Sequence, residues 1–122
     1  MAVNFAQKAD ELLKNLPQAQ AVSLMGFDGL AVATAAHGPL PWDVATLLTE
    51  YAQTLVTLRR AAQEVPEAGA PQDVVVHTTQ AAVLLRPVHK DYYLAVVQHA
   101  DAPMGRARFF MNLLAQALVH EL

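Results

Sequence analysis

Five histidines are the residues best equipped for chemistry in this chain, and their spacing argues against a shared site. His37, His77, His89, His99 and His120 fall on a loop, a strand, a turn, a strand end and a terminal helix. None forms an H-x-x-x-H pair, and none sits in a short cluster with acids, so no zinc-type ligand set is spelled out. They read as solvated or edge-strand histidines. His99 and Asp101 flank a strand end and a helix start, where bonds to backbone groups are expected. Ser23 is the only serine, and it lacks the Gly-x-Ser-x-Gly elbow of a nucleophile. Gly26-Phe27-Asp28-Gly29 has two glycines but neither phosphate-binding spacing nor a following helix, so it reads as a turn. With no cysteine, disulfides, thiol catalysis and thiolate metal sites are excluded. No catalytic constellation, cofactor site or metal site emerges.

The arginines point elsewhere. Arg106 and Arg108 lie in the first turns of a final helix, as an anion or partner contact or as solvated flanks of its buried stripe. Arg59 and Arg60 lie on a long central helix. An arginine beside small apolar residues suits an interface. An arginine finger for phosphoryl transfer has no other support in the chain. Trp42, just before that helix, reads either as a binding anchor or as a staple onto the first turns.

The chain has 122 residues, enough for one domain (1–122) with a real core. Hydrophobic residues make up 54% and charged residues 16%, which marks a folded chain with apolar surface for a partner to cover. The net charge of −3 and the absence of any longer Lys/Arg run argue against nucleic acid. No apolar run reaches the roughly 20 residues of a membrane span. The N-terminal residues lack the basic start and apolar core of a signal peptide, so a cytoplasmic protein is the expectation.

The pattern of apolar residues and breakers defines the elements. Residues 3–16 recur at helical spacing up to Pro17. Residues 20–26 and 30–35 read as strands joined at Asp28-Gly29. After the breakers His37 to Pro41, a long helix runs from Asp43 to Val65. Pro66 to Pro71 breaks the chain again. Three strands follow: β-branched 73–79, then 82–88 with Pro87 marking an edge or an end, then the apolar 92–98, central and covered on both faces. A final helix starts at Asp101-Ala102-Pro103, with Met104, Ala107, Met111, Leu114 and Leu118 buried. The order α-β-β-α-β-β-β-α, with hairpin-length links, predicts an α+β fold around a five-stranded antiparallel sheet.

The long helix has surplus apolar surface. Val44, Leu48, Tyr51, Leu55, Leu58, Ala62 and Val65 form one stripe. Leu47 widens it on one side, and Ala45, Ala52 and Val56 widen it on the other, giving an arc of about 180°. A helix lying on a sheet needs less. The surplus is mostly small, which lets a second backbone approach closely.

Three segments then resemble the roadblock family, the dynein light-chain and GTPase-regulator modules. They are Val22 to Ala33 around Asp28-Gly29, Val83 to Val97, and Ala102 to Arg108 with its Pro-x-Gly entry into the last helix. With the element order, the resemblance spans nearly the whole chain. It implies a homodimer or heterodimer in which the long helix packs beside its mate and the following strand pairs across the two-fold, making ten strands. The implied dimer residues are Ala45, Thr49, Ala52, Val56 and Arg59 on the helix and Val74, Val75 and Val76 on the strand. Bacterial members often bind Ras-like GTPases of the gliding-motility type, and some accelerate hydrolysis by reshaping the GTPase's own switches. The implied partner contacts are Thr46, Glu50, Gln53, Thr57 and Arg60. The resulting expectation is a non-enzymatic dimeric regulator or scaffold for a small Ras-like GTPase. A rival is an assembly scaffold or small-ligand sensor of the related profilin-like topology, with a cavity between the sheet and the first and last helices. Alanine richness hints at a bacterium of high G+C content.

Overall fold

The computed structural model describes residues 4–40 and 42–121. The expected first position of the first helix, Val3, and the breaker Pro41 lie outside the described residues. Helix α1 (Phe5–Lys14) is capped by Asn4, whose side chain accepts from the Gln7 amide at 3.0 Å. Strands β1 (Ala19–Gly26) and β2 (Ala31–Ala36) follow, then α2 (Val44–Glu64) and a short 3-10 turn (Pro66–Ala68). Strands β3 (Val74–His77), β4 (Ala81–His89) and β5 (Tyr92–His99) and helix α3 (Gly105–Glu121) complete the order. This is the expected α+β arrangement.

All strand pairs are antiparallel, in the spatial order β2-β1-β5-β4-β3. Strand β5 is the centre, and Tyr93 to Gln98 are buried throughout. Alternation along it serves both faces. Leu94 and Val96 pack with Leu12, Leu13, Val22, Met111 and Leu118 under α1 and α3. Tyr93, Ala95 and Val97 pack with Leu48, Ala52 and Leu55 under α2. The sheet therefore lies between α2 on one face and α1 with α3 on the other.

Pro87 sits inside β4, yet it breaks no ladder bond toward β3. The β3 register ends at Val74 opposite Leu85, so β4 outruns its neighbour and is locally an edge at Pro87. At the other end the structure corrects the start of α3. The helix begins at Gly105, and Pro103 precedes it. Gln98, buried in the sheet, donates through Nε2 to the carbonyls of Ala102 (3.0 Å) and Pro103 (3.2 Å), holding them as a turn. Within α3 the buried stripe is Ala107, Met111, Ala115 and Leu118, with Met104 and Leu114 half-covered beside it.

Candidate partner interface

Helix α2 lays Val44, Leu48, Ala52 and Leu55 on the sheet. Beneath it, Tyr93 donates its hydroxyl to the Leu48 carbonyl at 2.7 Å from a fully buried position. Burial pushes its phenol up to about 12, because the anion would lose its hydration. Ala52 is only 2% exposed, so the structure removes it from the expected seam and puts it in the core. The buried line is rotated toward Ala52 relative to the expected stripe. Tyr51, Leu58 and Ala62 are only half-buried, and Val65 is exposed.

Two more of the expected seam residues are engaged within the chain. The Thr49 hydroxyl reaches the Gly29 carbonyl and the Ala45 carbonyl, each at 2.9 Å. Gly29 turns the β1–β2 hairpin at φ +91°, and a Cβ there would come within 3.0 Å of the Thr49 methyl. Arg59 donates to the Lys90 carbonyl at 2.9 Å, and its guanidinium lies 4.2 Å from the Phe27 ring centroid. The Phe27 amide in turn donates to the Asp91 carbonyl at 2.9 Å. Thr49 and Arg59 thus bind both hairpin turns to α2. Ala45 and Val56 are the members of the proposed helical seam that stay exposed. Residues separated by 20 to 31 positions make these bonds, and no periodicity could announce them.

Thr46, Glu50, Gln53, Thr57 and Arg60 are all exposed. At about 100° per residue they share the side opposite the buried line. Thr46 also serves the helix start: its amide donates to Asp43 Oδ1 at 3.0 Å and its hydroxyl to Oδ2 at 2.7 Å. Those bonds, the amide first, hold the Asp43 carboxyl below the usual range. Thr57 donates back to the Gln53 carbonyl. Val56, Arg59, Arg60 and Gln63 line a shallow depression of ≈270 Å³.

The sheet contributes an open edge. Strand β3 pairs with β4 on one side only, and its valines are half-buried. Val74 and Val76 turn toward the α2 layer, Val75 toward the α3 layer. Trp42, Leu47, Tyr51 and Leu58 pack on the same cluster as Val74 and Val76, likewise incompletely covered. Trp42 precedes the cap Asp43, and Leu47 is four residues past that cap, the two positions of a hydrophobic staple.

The residues singled out for chemistry remain apart. Among the described residues no group of three His, Asp or Glu side chains is placed for a metal. His37 Nε2 meets the Leu13 and Leu16 carbonyls at the end of α1. Gln98, not His99 or Asp101, holds the backbone at the β5 end. Arg106 donates to the Asn15 carbonyl at 2.8 Å, and Arg108 pairs with Asp73 at 3.2 Å, so both tie α3 to neighbouring segments. Among the described residues, no helix is long and apolar enough to cross a membrane. The cavity lined by Phe5, Leu12, Leu24 and Leu118, between the sheet and the outer helices, holds ≈10 Å³, too little for an organic ligand. A larger open cleft of ≈470 Å³ lies past it, between Leu16, Ala19, Gln98 and Arg106.

No family model matches this sequence. No curated protein matches it either. Solved structures do. The gliding protein MglB from Thermus thermophilus superposes with a TM-score of 0.79 at 21% identity, over 99% of this chain and 93% of that one. A Roadblock/LC7 domain from Streptomyces avermitilis gives 0.72 at 18% identity, over 95% of each. MglC from Myxococcus xanthus shares 30% identity, over 98% of this chain and 100% of that one, with a TM-score of 0.67. Element order, sheet topology and this shared sequence place the chain in the roadblock/LC7 family.

Proposed function

We propose that the chain is a non-enzymatic dimeric regulator or scaffold that presents the exposed face of α2 to a small Ras-like GTPase. The observation that carries the reading is a pair of incomplete surfaces. Among the described residues the β3 edge has no neighbour, and the apolar cluster under α2 is left half-open at Leu47, Tyr51, Leu58, Val74 and Val76. A second copy covering both would remove an aggregation-prone edge and bury the residual apolar surface. Helix α2 of each copy would then lie on one side of the joined sheet. Its contacts with the mate come from exposed Ala45 and Val56 or from the Leu47–Leu58 flank. Thr46, Glu50, Gln53, Thr57 and Arg60 remain outward for a partner.

The test takes the full chain and a purified Ras-like GTPase from the same genome, loaded with GDP or with a non-hydrolysable GTP analogue. Light scattering reads a dimer of the chain alone. Binding at one nucleotide state at least tenfold tighter than the other is the expected result, weakened by Arg60→Glu without loss of the dimer. Equal binding to both states would refute the regulator reading and leave the scaffold.

A further inference from the structure

The open cleft of ≈470 Å³ at the end of the sheet is apolar along most of its wall and holds one charge. Leu16, Pro17 and Ala19 line it from the passage between α1 and β1, and Pro103 and Ala107 line it from the entry to α3. Among the described residues lining it, Arg106 alone carries a charge. Leu16, Ala19 and Ala107 belong to the core under α1 and α3, so a partner seated on α2 leaves the cleft open. Its size falls among small-ligand pockets, roughly 300–1,000 Å³.

Two polar groups in the cleft are held in place and still have bonds to offer. Arg106 donates from Nε to the Asn15 carbonyl at 2.8 Å, and its guanidinium lies 5.1 Å from the Phe110 ring centroid. Among the described residues no carboxylate pairs with it, and its terminal nitrogens donate to no protein group. A guanidinium fixed through Nε keeps the fork of its two Nη groups for an anion. Gln98 is 3% exposed and gives Nε2 to the Ala102 and Pro103 carbonyls, at 3.0 and 3.2 Å. Both partners only accept, so the amide cannot turn over. Its Oε1 has no donor among the described residues and stays within reach of solvent. A ligand that displaces water from the cleft must donate to that oxygen or leave it unsatisfied at a cost.

A carboxylate for Arg106, an N–H for Gln98 and an apolar side chain for the wall occur together at the carboxyl end of a peptide. We propose that the cleft binds the free C-terminus of an extended partner segment whose last residue is aliphatic. The carboxylate takes the Nη fork of Arg106, the last peptide N–H donates to Gln98 Oε1, and the last side chain packs against Leu16, Pro103 and Ala107. A second cleft of ≈410 Å³ shares Pro17, Gln18, Ala19 and Pro103 with the first and continues past His37 and His99. That continuity gives the preceding residues of a peptide a path, which a free amino acid would leave empty. Neither a dimer nor a GTPase is needed for this binding.

The probe is N-acetyl-Ala-Ala-Ala-Leu with a free carboxylate, added to the full chain and followed by heteronuclear NMR and calorimetry. Saturable shifts are expected at Ala19, at the Gln98 side-chain amide and at Ala107, and none along α2. The same peptide closed as a C-terminal amide is expected to bind at least tenfold more weakly, because it loses the charge-assisted fork. Methylation of its last nitrogen removes the donor to Gln98 and is expected to weaken binding to a similar degree. Both comparisons alter the ligand and leave the protein intact. Arg106→Gln, at an exposed position, is expected to erase the preference for acid over amide while the spectrum keeps its folded dispersion. Equal binding of acid and amide by the unmodified chain would overturn recognition of the terminus. N-acetyl-leucine binding as tightly as the peptide would overturn the peptide in favour of a small acid. No saturable shift at millimolar peptide would overturn the site itself.

Discussion

Replacing Tyr93 by Phe removes a single oxygen atom, and the effect on stability should change sign with pH. The hydroxyl donates to the Leu48 carbonyl at 2.7 Å in a fully buried position. Its removal costs about 1 kcal/mol near pH 8, toward the lower end of a buried hydrogen bond, because a mid-helix carbonyl keeps its own intrahelical partner. The phenol's pKa stands at about 12 in the fold against 10.0 for the free group. Above about pH 10 the unfolded chain releases this proton while the folded chain holds it, so stability falls as pH rises toward 12. The loss reaches about 1.4 kcal/mol near pH 11 and tends to about 2.7 kcal/mol above pH 12. The Phe variant lacks this limb. The two stability curves therefore cross near pH 11, and the variant is the more stable protein beyond it. Urea unfolding followed by Trp42 fluorescence at several alkaline pH values measures both curves. Contributions from the rest of the chain are common to both proteins and cancel from the difference. A stability difference that stays constant from about pH 8 to pH 11.5 would show that Tyr93 is not held neutral by burial.

Two further substitutions probe the helix that carries the interface. Ala52→Glu puts a carboxylate at a site 2% exposed and is expected to cost several kcal/mol and unfold the chain, whereas Val56→Glu, at 37% exposed, should leave the thermal melting curve within a few degrees. An Ala52→Glu protein that stays folded would return Ala52 to the exposed seam. Gly29→Ala is expected to cost about 1–2 kcal/mol, from the positive φ and from crowding against the Thr49 methyl at 3.0 Å. Adding Thr49→Ser, which deletes that methyl and keeps the hydroxyl, should recover part of the loss in denaturant titrations, and strict additivity would exclude the crowding.

Element types are legible because each element's pattern is local. The Asp28-Gly29 turn, the Pro17 stop and the alternation of β5 depend on residues a few positions apart, and the structure reproduces them. Boundaries that differ trace to side-chain contacts no local pattern encodes. Pro103 has the composition of a helix start, but Gln98 claims its carbonyl. The same division explains the interface. Helical periodicity shows that α2 has a broad apolar arc, but it does not show which part of the arc touches the sheet. Large side chains pull the inferred centre toward Tyr51 and Leu58. The real contact line runs through Ala52, which is buried in one cluster with Leu48, Leu55 and Tyr93.

That displacement changes what the surplus surface means. Small residues on one flank of α2 suggest, from sequence, a close-packed seam of two backbones. In the fold, Ala52 is spent on the sheet, and Thr49 and Arg59 are spent on the hairpin turns, so the closeness they provide is internal. The unspent surface is made instead of large half-covered side chains, Leu47, Tyr51 and Leu58, together with the valines of β3. A surface of this kind needs area and a paired strand rather than intimate helix contact. If the dimer forms, its strength should therefore depend on the β3 edge more than on any single α2 residue. Val75→Pro removes an edge-facing amide without touching β4's hydrogen bonds, and it is expected to abolish the dimer while the monomer keeps its helical circular dichroism. A proline variant that remains dimeric in light scattering would move the interface from the strand to the helices.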